Sequence, residues 1–116
     1  MKRGEEIPRP NPWLVRAASL GAAKGWEQLV SQARSAVDDA WLRMTSNPRR
    51  TDDRQHQLKG SLGQTVVGGV KLDQWQIEVT SGGRIWYGID DDSRTIWVVE
   101  ARTGHPKATD TRRRGR

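Results

Sequence analysis

The sequence predicts an α+β domain: two N-terminal helices packed on a small antiparallel sheet, with flexible tails at both ends. Three observations predict it. Apolar residues recur at helical spacing between Trp26 and Met44. Three segments after residue 73 alternate between apolar and polar residues and are separated by turn signals. The charge excess lies mostly outside both regions. Helices followed by a run of strands read as α+β.

Residues 1–12 hold Pro8, Pro10 and Pro12 among charged residues, and are expected to form a flexible arm. Trp13-Leu14-Val15 can begin a short strand. Trp26, Leu29, Val30, Ala33, Val37, Ala40, Trp41 and Met44 then fall on one helix face. The pattern stops at Asn47-Pro48, because the residue before proline is pushed out of the helical region. A single helix over this stretch would nearly span so small a domain, so a break near Arg34 is expected. Ser35 to Asp38 would then cap the second helix.

Residues 49–64 are polar and read as a loop. Val66 to Leu72 is a strand interrupted by Gly68-Gly69. Trp75, Ile77 and Val79 alternate with Gln74, Gln76 and Glu78, the signature of a half-buried strand. Ser81-Gly82-Gly83 turns the chain into a strand from Arg84 to Ile89. Asp90 to Ser93 turns it again into a strand from Thr95 to Arg102. Pairing Thr80 with Arg84 and Ile89 with Arg94 puts Trp75, Ile77, Val79, Ile85, Tyr87, Ile89, Ile96 and Val98 on the core face. Gln76, Glu78, Arg84, Trp86, Trp97 and Val99 fall on the other, with Trp86 and Trp97 side by side. Those two indoles serve either as an interface pair or, with Arg84, as a surface where bases stack and phosphates dock.

The domain is expected over 13–108, and 109–116 as a basic disordered tail. The chain has 116 residues and a net charge of +6. Thr111 to Arg116 supplies four arginines and no acid, so the body is nearly neutral. A basic binding site must therefore come from local clustering, not from bulk charge. There is no cysteine, which excludes disulfides and thiolate metal sites and accords with a cytoplasmic protein. No membrane span or signal peptide is read. No metal and no cofactor are expected. Asp90-Asp91-Asp92 reads as a solvated turn.

The two histidines are His56, in Arg-Gln-His-Gln-Leu-Lys-Gly, and His105, in Arg-Thr-Gly-His-Pro-Lys. On residue types alone each reads as well as an ordinary solvated loop residue. Together they could supply what RNA cleavage requires, a base for the 2′-hydroxyl proton and an acid for the departing 5′-oxygen. Arg84, Lys59 and Lys107 are the cations chosen to stabilise the phosphorane.

His56 to Gly60, the strand Arg84-Ile-Trp-Tyr87 and Arg102-Thr-Gly-His105, placed after a helical pair ending at Asn-Pro, resemble the RelE/ParE toxin superfamily. The nearest branch is the YafQ-like mRNA interferases. The resemblance implies a type II toxin paired with an antitoxin, cutting mRNA on the ribosome. It implies His56 and His105 as active-site residues and matches Arg84 to an arginine of the family, so these three are expected to be catalytic; the residues themselves suggest Lys59, Lys107, Arg102 and Trp86 as RNA contacts. Gln76 stands where the branch usually has a further histidine. The branch's terminal aromatic near 108–110 is missing, and the link Gly63 to Gly69 is long. The alternatives are a ParE-like gyrase inhibitor and a non-catalytic nucleic-acid-binding domain.

Overall fold

The computed structural model describes residues 1–104. His105, Lys107 and the basic tail lie outside the described residues. The elements run β1 (Leu14–Ala17), α1 (Leu20–Ser46), β2 (Gln55–Gln57), a 3₁₀ turn (Gly60–Gly63), β3 (Gln64–Val67), β4 (Val70–Glu78), β5 (Arg84–Asp90) and β6 (Thr95–Arg102). They form a sheet in the order β1-β6-β5-β4-β2, with β3 pairing β4 beside β2. α1 packs against one face.

The α+β class stands, but its helical part needs correction. The expected two helices are one helical element, and no loop or second cap separates its halves. The break expected near Arg34 is reduced to one non-helical residue, Ala33, at φ −149° and ψ 56°. That residue redirects the helix. In a straight helix Trp26 and Trp41 would stand about 22 Å apart. Here their rings meet edge to face, with centroids 5.8 Å apart. The arms therefore fold towards each other, and Leu29, Val37, Ala40 and Met44 all reach the core. Ser19 caps the start, its Oγ accepting from Ala22 N.

The sheet also needs correction, because it is mixed. β1 runs parallel to β6, with Leu14 opposite Thr95. The other pairings are antiparallel. All eight residues assigned to the core face are buried. Burying such side chains contributes roughly 1.5–3 kcal/mol each, which holds the helix on the sheet. Gly68 and Gly69 both have positive φ (57° and 81°) and close the β3–β4 hairpin in two residues, a geometry that suits glycine.

Both later hairpins differ in register from expectation. Glu78, not Thr80, faces Arg84, and Asp90 faces Thr95. Each slip is of two residues, so the faces are preserved. The second slip puts Trp97 opposite Gly88, and a bulge at Trp86/Tyr87 then shifts β6 once more, so that Trp86 lies opposite Glu100. The side-by-side tryptophan pair is not formed. The first β4–β5 pair lies next to a turn in which Thr80 Oγ1 accepts from Gly83 N.

Behind the sheet, one buried network fixes β2. Tyr87 O–H donates to Pro48 O at 2.8 Å, and Gln55 Nε2 donates to Tyr87 Oη at 2.9 Å and to Asn47 O at 3.2 Å. Burial pushes the Tyr87 phenol well above its usual range, so it remains a donor. Tyr87→Phe is expected to cost about 1–3 kcal/mol, because it leaves the Pro48 carbonyl buried without its donor. Amide exchange should rise most at Gln55–Gln57; a uniform rise across the sheet would contradict this role.

The turn before β2 is tied by Asp52. Its Oδ1 accepts from Arg54 N and Gln55 N, and its Oδ2 pairs with Arg43 and Arg50. The Arg54 backbone N–H, and after it the Arg43 guanidinium, lower its pKa from 3.8 to about 2. A depressed carboxylate stabilises the fold above its unfolded pKa, and that stabilisation is lost as pH falls through the folded value. Acid titration should therefore loosen the turn between about pH 4 and pH 2. Asp52→Asn should remove this step; an unchanged acid transition in that variant would contradict the assignment.

Candidate functional site

The face of the sheet opposite α1 carries the polar residues. His56 faces Gln76, and Gln76 faces Trp86. Trp86 faces Glu100 across the bulge. One transverse row therefore reads His56–Gln76–Trp86–Glu100. The next row contains Arg54, Glu78, Arg84 and Arg102. Glu78 N donates to Arg54 O, Glu78 faces Arg84, and Arg84 faces Arg102. Neighbouring strands lie about 5 Å apart, so both rows fit within the footprint of one or two nucleotides.

His56 was read as a loop residue; it lies instead in the short strand β2, half-buried. The polar tripeptide Gln-His-Gln offers no apolar alternation, so its strand was hidden. Its buried neighbour Gln55, held by Tyr87, explains why it forms. His56 Nδ1 lies 3.0 Å from the Gln57 carbonyl oxygen. A carbonyl only accepts, so Nδ1 carries the hydrogen and in a neutral His56 the lone pair lies on Nε2.

Trp86 Nε1 donates to Gln76 Oε1 at 2.8 Å. The Arg102 guanidinium lies 5.9 Å from the centre of the Trp86 ring and also pairs with Glu100. The indole is thus locked from two sides, and Gln76 and Glu100, which were not selected as site residues, lock it. Arg84 stands directly opposite Arg102, a like-charge arrangement that costs stability in a sheet. Among the described residues no ion pair involves Arg84 or Lys59. Lys59 is exposed at the entry to the 3₁₀ turn.

His56, Arg84, Trp86 and Arg102 thus share one face. Lys59 lies on the loop that follows β2. His105 and Lys107 lie outside the described residues. Gly104 sits against the backbone of Gly82, at the sheet end that carries Arg84.

The acidic turn Asp90–Asp92 lies at the other end. Asp91 pairs with Arg49, and Asp90 Oδ1 accepts from Ser93 N. Among the described residues no cluster of three or more histidine, cysteine or acidic side chains is disposed to hold a metal ion. Among them, too, no helix is long and apolar enough to cross a membrane.

This fold, a folded-back helical element on a small sheet, is shared with a solved structure. A chain of the toxin–antitoxin complex RelBE2 from Mycobacterium tuberculosis matches it with a TM-score of 0.55. The sequences are 21% identical, and the match covers 78% of this chain and 96% of that one. At this identity the likeness establishes the fold. No family model matches the sequence, and no curated protein matches it.

Proposed function

We propose that the chain is the toxin of a type II toxin–antitoxin pair and that it cleaves mRNA on the ribosome. The observation that carries this reading is the shared face of His56, Arg84, Trp86 and Arg102, with His56 Nδ1 bonded to Gln57 O and Nε2 left without a bond among the described residues. The likeness to a chain of a toxin–antitoxin complex supports an antitoxin as partner. The reading also places the protein in the cytoplasm.

In this mechanism His56 Nε2 takes the proton from a ribose 2′-hydroxyl. The 2′-oxygen attacks the adjacent phosphorus, and the bond from phosphorus to the 5′-oxygen breaks. His105 gives its proton to that oxygen, so the products are a 2′,3′-cyclic phosphate and a free 5′-hydroxyl. Arg84, with Arg102, stabilises the charge that builds on the phosphorane. An anion between these two arginines would offset the repulsion they carry in the free protein. Trp86 offers a ring on which a base stacks. Lys59 and Lys107 hold flanking phosphates. This chemistry needs no cofactor.

Expression should arrest translation, and mapped 5′ ends of cellular mRNA should cluster at new positions. Arg84→Ala and His105→Ala should each abolish both effects while the protein stays folded by circular dichroism. Arrest that persists in both variants would overturn the nuclease reading. Inhibition of gyrase supercoiling without new mRNA ends would favour a ParE-like inhibitor instead.

A further inference from the structure

We infer that Gln76 reads the base stacked on Trp86 and selects a keto group over an amino group. The inference rests on the nucleotide-binding part of the reading above and names what that site takes. It begins with a constraint on hydrogen-bond polarity. An indole N–H can only donate. It lies 2.8 Å from Gln76 Oε1, so the amide oxygen is turned towards β5. The Nε2 amino group is then turned away from the indole nitrogen, on the sheet face where Gln76 stands between Trp86 and His56. Among the described residues it has no partner.

A glutamine that is free to turn serves either sense of base edge. It commonly reads adenine by accepting from the 6-amino group while donating to N7. Here the acceptor is engaged by Trp86. What remains beside the indole is a pair of donors. A base lying parallel to the indole presents its edge to them, and guanine O6 or uracil O4 meets a donor there. The 6-amino group of adenine and the 4-amino group of cytosine meet donor against donor. Trp86 thus does two things: it supplies the stacking surface and it sets the sense in which Gln76 reads.

The test uses the full chain and two 2′-O-methyl heptanucleotides, which cannot be cleaved because the 2′-hydroxyl is blocked. Both carry three adenines on each side of a central base, guanine in one and 2,6-diaminopurine in the other. These bases differ at position 6 by keto against amino. Wild type should bind the guanine probe roughly fivefold tighter, the effect of one net hydrogen bond. Gln76→Glu keeps the acceptor for Trp86 and loses the donors, so the ratio should fall to one or invert. Trp86→Phe keeps a ring for stacking but releases the amide, so the ratio should collapse while both probes still bind.

An unchanged ratio in both variants would overturn the inference and leave the nuclease reading intact. A ratio that behaves as expected, in a protein that cuts no RNA on ribosomes, would remove the nuclease reading and leave this one. Failure of wild type to bind either probe would overturn the inference, and the nuclease reading would still stand or fall on the ribosomal cleavage test above.

Discussion

His56→Ala is expected to lower RNA cleavage by about 10²–10⁴-fold, the usual loss when a positioned general base is removed. The fold should survive. His56 sits at the sheet edge, and its ring bonds only to the adjacent carbonyl, so the stability cost should stay near 1 kcal/mol. Binding of an uncleavable oligonucleotide should change little, because the phosphate contacts come from other residues. His56→Gln should behave like the alanine variant, since it keeps a polar side chain but is far too weak a base to take the proton. Cleavage retained in either variant would assign the base elsewhere.

Gly25→Val, at the half-buried point where the helix crosses β6, is expected to be strongly destabilising. A β-carbon at Gly25 would lie 2.3 Å from the carbonyl oxygen of Ala101, which is backbone and cannot turn aside. The helix would have to lift off β6, where Leu29, Ile96 and Val98 are buried. Overpacking of this kind costs about 1–3 kcal/mol or more. That is a large share of the roughly 5–15 kcal/mol that holds a domain together. Gly21 provides the opposite sign one turn earlier. A β-carbon there meets only Ser19 Oγ, at an ordinary 3.7 Å. Gly21→Ala should therefore gain up to about 1 kcal/mol of helix propensity. Urea denaturation of the two variants checks both; equal destabilisation would contradict the close approach at Gly25.

Alternation exposed the sheet faces in the sequence, because a buried face demands an apolar residue at every second position. Register was less legible. Turn residues show that the chain reverses, but not which pair closes the hairpin. At the second hairpin the positive φ falls on Arg94, at 47°, where sequence reasoning looks for glycine or asparagine. Arg94 is held there by its side chain, with Nε donating to Asn11 O and the guanidinium 4.6 Å above Trp13. The two-residue slip keeps Trp86 from Trp97, and the bulge at Trp86/Tyr87, which carries no residue signature, decides that Trp86 meets Glu100 and not Val99. The helix reversal was half legible. The apolar stripe runs through Ala33 unbroken, so periodicity placed the residues on one face without showing that the face folds onto itself. At the site, residue types pointed to His56, Arg84, Trp86 and Arg102. Gln76 escaped, because a glutamine has a role only once its neighbour's hydrogen bond fixes its direction.

The parallel pairing of β1 with β6 also governs when the molecule can exist. Of the described strands, the first to leave a ribosome pairs only with the last. Loop closure of that length is slow and rewards nothing until the final strand is free. β5, with Arg84 and Trp86, likewise needs β6 on its other side. Until β6 is free, a nascent chain holds its helix and early hairpin without a completed polar face, and it carries no assembled site.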